Sequence, residues 1–127
     1  MLRLPGDLLD QILAHAREAL PEECVGLLFG HGGLVCRVER LKNVSPRPKT
    51  EYLADPLDLL AALRKADEVG EEVLAVYHSH PRGPALPSER DRNQAVWRTI
   101  YVIIDPVAEE VRAFRLPAGE EVELVVE

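Results

Sequence analysis

Cysteine is nearly absent from this sequence. Cys24 and Cys36 are the only two in 127 residues, too few for a disulfide framework. If residues 24–30 and 34–41 pair as a hairpin around Gly32-Gly33, Cys36 falls opposite residue 28 or 29, so the two thiols are not expected to bridge. No apolar run approaches the roughly 18 residues that a membrane helix needs, and Asp7 and Asp10 break up the N-terminal apolar segment, unlike a signal peptide. The chain is therefore expected to be soluble and cytoplasmic. Positive charge is not in excess either: 15 Lys and Arg against 22 Asp and Glu give a net charge of -7, which disfavours binding to a phosphate backbone. The chain is also too short for a (β/α)₈ barrel, which takes about 200 residues or more.

What is present fits one domain, residues 1–127, with 46% hydrophobic and 29% charged composition. Leu8, Leu9, Ile12, Leu13 and Ala16 recur at helical spacing over 7–19, and Pro21 stops the run. Residues 24–29 and 34–41 read as a β-hairpin. Loop 42–52, with Pro46 and Pro48, leads to Asp55-Pro56. That pair opens a second helix to about Val69, with Leu59, Leu60 and Leu63 expected inward and Gly70 ending it. A strand over 73–77 runs into His78-Ser79-His80-Pro81, and Ser88 starts a third helix. Three closing strands are expected at 100–104, 109–116 and 121–126. Trp97 and Phe114 are expected in the core. Helices interspersed with strands predict an α/β layered domain, a mixed β-sheet flanked by helices.

His78 and His80 stand two apart at a strand end, so alternation points both imidazoles the same way and they can converge on one metal. By itself His-x-His is as common in surface strand ends. Asp91, in the first turn of the helix begun by Ser88, can fold a carboxylate back toward them. Two histidines and an aspartate leave a fourth position open, as in catalytic zinc sites. Ser88-x-x-Asp91 is equally a helix-capping pattern. Amide hydrolysis also needs a group to move a proton to the leaving amine. Glu22, Glu23 and Glu51 are the candidates, and each is otherwise an ordinary surface carboxylate. His15 and His31 lack partners at ligand spacing and read as surface residues. Arg82 beside the histidine segment reads as a solvated loop arginine or a contact to a substrate carbonyl.

Pro21-Glu22-Glu23-Cys24-Val25-Gly26-Leu27-Leu28-Phe29-Gly30 resembles the P-x-E-x-x-G-L-L-x-G opening of JAMM (MPN-plus, Mov34) metalloproteases. His78 to Asp91 resembles their H-S-H-P-x₆-S-x-x-D signature. Asn43 and Tyr52-Leu53-Ala54-Asp55-Pro56 are similar to the bacterial branch. The resemblance implies the MPN/JAMM fold, layered like cytidine deaminases. It implies one zinc ion per chain held by His78, His80 and Asp91, with Glu23 as general acid/base acting on the zinc-bound water and Ser88 stabilising the oxyanion. Ser79, between the two histidines, points away from the metal by strand alternation and reads as structural. The implied partner is a ubiquitin-like sulfur-carrier protein, cleaved after its C-terminal glycines to free an added cysteine or to cut an isopeptide bond. The sequence leaves open which of the two, and the oligomeric state. A non-catalytic scaffold of the same fold is the alternative. A nucleoside deaminase is not, because its His-x-Glu and Pro-Cys-x-x-Cys are missing.

Overall fold

Six successive buried residues, Val25 to Gly30, open strand β2 (Val25–His31). A strand covered on both faces has no reason to alternate, which is why this stretch reads as a continuous apolar run. The computed structural model describes residues 1–95 and 97–127, and in it β2 lies near the middle of a sheet. In chain order the elements are β1 (Leu2–Leu4), α1 (Gly6–Ala19), β2, β3 (Leu34–Leu41), α2 (Pro56–Val69), β4 (Glu72–Ser79), α3 (Glu89–Gln94), β5 (Ile100–Asp105), β6 (Glu110–Arg115), β7 (Glu120–Val122) and β8 (Leu124–Val126). The eight strands order as β7-β6-β5-β4-β2-β3-β1-β8. β4 runs parallel to β5, and β1 runs parallel to β3 and β8, while the other neighbours are antiparallel. This is the expected mixed sheet flanked by helices.

The helices cover opposite faces. Leu8, Ile12, Leu13 and Ala16 of α1 pack with Leu28, Ala75, Tyr77 and Val102. Ala62 and Ala66 of α2 pack with Val25, Leu27, Val76 and Ile103. Alternation along β4 thus sends Tyr77 toward α1 and its neighbours Val76 and His78 toward α2. Tyr77 also explains a glycine: its ring occupies the space where a Cβ on Gly26 would stand, so only glycine lets the two strands keep this register. Asp55 caps α2 through the Leu57 amide at 3.0 Å, Pro56 occupies its first turn, and Gly70 ends it with φ 73°.

Three expectations need correction, and one strand lies where none was expected. The stretch 121–126 is two strands: β7 pairs with β6 at one end of the sheet, while β8 pairs with β1 at the other. β1 itself was not foreseen, because three residues before Pro5 carry no periodic signal. Leu60 faces outward at 46% exposure, and the smaller Ala62 and Ala66 make the close contact that lets α2 approach the sheet. His15 is not a free surface residue: its Nδ1 lies 2.6 Å from the Tyr77 hydroxyl. The thiols behave as expected. Cys24 is buried, Cys36 is exposed, and both are free. Phe114 is buried and Trp97 packs half-buried against the α2-side core.

Candidate metal centre

The register of β2 against β4 sets Val25 opposite His78. Because these strands are antiparallel, the residues leaving β4 lie across from those entering β2, so His80 and Glu23 meet although they are far apart in sequence. Ser79, turned to the α1 face, joins the strands: its Oγ accepts from the Cys24 amide at 2.8 Å, and its own amide donates to the Cys24 carbonyl at 3.2 Å. The His80 amide donates to the Ile104 carbonyl at 2.8 Å, which fixes the turn out of β4 against β5.

The structure brings His78, His80 and Asp91 together. His78 Nε2 and His80 Nε2 are 3.2 Å apart, Asp91 Oδ1 is 3.2 Å from His78 Nε2, and Asp91 Oδ2 is 3.0 Å from His80 Nε2. Ligands about 2.0–2.1 Å from a tetrahedral zinc stand roughly 3.3 Å from one another, so this donor set fits such an ion. Among the described residues no fourth His, Cys, Asp or Glu joins the cluster. Cys24 is not part of it, and burial pushes its thiol up to about 11.

Each donor is positioned. Asp91 sits in a capping box: Ser88 Oγ accepts from the Asp91 amide at 3.0 Å, and the Ser88 amide donates to Asp91 Oδ2 at 2.9 Å. Burial would raise the Asp91 carboxyl, but the contacts from His78 and His80 and the Ser88 amide outweigh it and hold the group far below the usual carboxylate range. His80 donates from Nδ1 to the Pro84 carbonyl at 2.8 Å, which leaves Nε2 to the cluster. Burial lowers the basicity of His80, and the Asp91 and Pro84 contacts more than restore it. Full burial depresses the pKa of His78, the form a metal ligand requires. Among the described residues its Nδ1 has no hydrogen-bond partner. Tyr52 stacks on the ring instead, with centroids 4.5 Å apart and planes at 29°.

Glu23 is buried, whereas Glu22 is exposed. Desolvation raises the Glu23 carboxyl to about 7. The His80 and Arg90 charges oppose that rise, and those of Asp91 and Glu51 add to it. Asn43 holds this segment: its Nδ2 donates to the carbonyls of Glu23 at 2.9 Å and Glu51 at 3.0 Å, and its Oδ1 accepts from the amides of Ser45 and Leu53. Glu51 is spent on Arg47 and Arg90. Glu23, His80 and Ser88 line one open groove of about 640 Å³, together with Lys49, Thr50 and Arg82. Behind Tyr52, on the α2 face, lies an apolar cavity of about 520 Å³. His31 is exposed at the hairpin tip, away from the cluster. Sequence reasoning assigned no role to Tyr52 or Asn43. Their only signal was their place in the segments similar to the bacterial branch.

Residues 5–117 match the family described as prokaryotic homologs of the JAB domain. The chain is 52% identical, over 99% of its length and 83% of the relative's, to a probable TtuB-protein conjugate cleaving protease of Thermus thermophilus. It is 34% identical to a desampylase of Haloferax volcanii, covering 83% of this chain and 81% of that one. It is 31% identical to a CysO-cysteine peptidase of Mycobacterium tuberculosis, covering 94% and 85%. A protein of Desulfitobacterium hafniense solved in solution superposes with a TM-score of 0.89 at 34% identity, covering 100% of this chain and 93% of that one. A JAB1/MPN domain protein of Archaeoglobus fulgidus shares the fold, with a TM-score of 0.68 at 22% identity over 100% and 97%.

Proposed function

From the premise that this chain belongs to the prokaryotic JAB-domain family and is a protease of the JAMM type, we propose that it hydrolyses the amide or isopeptide bond after the C-terminal glycines of a ubiquitin-like sulfur carrier. The observation that carries this reading is the convergence of His78, His80 and Asp91, with His80 lining the same groove as Glu23 and Ser88. The named activities of the relatives agree with it.

In this reading His78, His80 and Asp91 hold one zinc ion per chain. When bound there, zinc supplies Lewis acidity and lowers the pKa of water to about 7. Glu23 then acts as general acid/base. It takes a proton from the attacking water and returns it to the amine nitrogen as the C–N bond breaks. The Ser88 hydroxyl uses a lone pair on the Asp91 amide. Its own O–H remains available to donate to the oxyanion. Capping and catalysis thus use different atoms of one side chain. The non-catalytic scaffold has no observation in its favour, because the three donors converge at ligand spacing.

The groove is open, so affinity for a folded carrier must come from contacts beyond the scissile bond, with the flexible tail aligned over the centre. The test compares an intact carrier conjugate with a free peptide of the same tail. The conjugate is expected to be hydrolysed with far greater kcat/KM, and cutting should follow the second glycine. Equal efficiency on the two makes the protein a general peptidase and overturns the carrier assignment.

A further inference from the structure

The groove that holds Glu23, His80 and Ser88 has a charge imbalance that the chemistry above does not use. Lys49 and Arg82 both line it, and both are exposed. Among the described residues neither makes an ion pair or a side-chain hydrogen bond. The neighbouring cations are accounted for differently: Arg47 lies 3.7 Å from Glu51, and Arg90 also pairs with Glu51. The one acidic side chain lining the groove is Glu23. On a chain of net charge -7, the mouth of the reactive groove therefore carries two uncommitted positive charges, and such a concavity selects for an anion.

The two kinds of bond the protein is proposed to cut differ in this respect. When the amine side of the scissile amide is a single amino acid, its free α-carboxylate lies two bonds from the scissile nitrogen. When the amine is a protein lysine, a butyl chain surrounds that nitrogen and no charge is near. Resting on the function proposed above, we propose that Lys49 and Arg82 form a carboxylate subsite that favours a single amino acid with a free α-carboxylate as the leaving group. The arginine fork suits a planar carboxylate, and the lysine adds a mobile point charge. Both side chains are long and solvated, so ordering them and screening by salt reduce the gain. The discrimination expected is about tenfold, the scale of one charge-assisted contact at an exposed site.

The zinc-loaded protein is tested on one ubiquitin-like carrier in three forms. The first is extended after Gly-Gly by alanine with a free carboxylate, the second carries the same alanine as its α-amide, and the third is joined to Nε of an acetylated lysine amide. The carboxylate form is expected to show about tenfold higher kcat/KM than the other two, with the difference in KM and shrinking as salt rises. In the double variant Lys49→Gln/Arg82→Gln the ratio should fall toward one. A ratio near one in the unaltered protein overturns the subsite, as does a preference that survives both substitutions. Hydrolysis of none of the three refutes the carrier-cleaving function itself, an outcome distinct from equal hydrolysis of all.

Discussion

Tyr52 lies face to face with His78, ring centroids 4.5 Å apart, and it does for that imidazole what a hydrogen bond does for the other. A metal-binding histidine usually has its free nitrogen tied to an acceptor, which fixes the ring. His80 has the Pro84 carbonyl. His78 is fully buried, with Nδ1 unpaired among the described residues, so its orientation rests on packing. Tyr52→Leu is therefore expected to weaken zinc binding by about 10–100-fold, the range seen when such supports are removed. Tyr52→Phe, which keeps the ring, should restore it. Competition against a chromophoric chelator reads both. Unchanged affinity in the leucine variant would show that the strand alone fixes His78.

Glu23→Gln should retain zinc and fold and lose turnover by about 10²–10⁴-fold, since the buried Glu23 carboxyl is the proposed proton carrier. Glu22→Gln, at an exposed position, should leave kcat/KM nearly unchanged. An exchange of these two results would place the proton carrier one residue earlier.

Ser88→Ala separates two roles of one hydroxyl. Loss of the bond from the Asp91 amide should cost about 0.5–2 kcal/mol in thermal or denaturant unfolding, and loss of an oxyanion donor should cost roughly 10²–10³ in kcat. An earlier melt with normal turnover would leave Ser88 as a cap alone.

Much of this site could be read from the sequence because its chemistry is local. His78 and His80 share a face by strand alternation, and Ser88 and Asp91 share a helix start by capping geometry. Glu23 needed more: its approach to His80 depends on the β2–β4 register, which no local pattern states. Tyr52 and Asn43 act through the folded loop between β3 and α2, where neither spacing nor composition marks a role. The fold was legible where elements were long and periodic. It was missed where strands were three residues long, as with β1 and the division of β7 from β8. His15 was misread because its partner, Tyr77, reaches it only once α1 lies on the sheet.

That pair predicts a pH dependence. Burial, with the Arg40 charge adding and Glu18 opposing, lowers His15 from 6.5 to about 4. The folded protein thus keeps His15 neutral where the unfolded chain protonates it. The unfolded state binds more protons between about pH 6.5 and 4, so this residue makes stability fall as pH drops through that window and contributes nothing above it. In His15→Gln, which can still bond to Tyr77, stability measured by urea unfolding should decline less over the same window. A parallel decline in both proteins would contradict the shift.

Hydrolysis should depend on the ion that His78, His80 and Asp91 are proposed to hold. The measurement is hydrolysis of an intact ubiquitin-like carrier conjugate by protein stripped of metal with a chelator and then titrated with zinc, with metal content followed by elemental analysis. The prediction is no cleavage by the stripped protein, recovery that saturates at one zinc per chain, and no comparable recovery or zinc uptake when His78, His80 or Asp91 is replaced by alanine. Undiminished cleavage by the metal-free protein, or full zinc retention in all three variants, would contradict it.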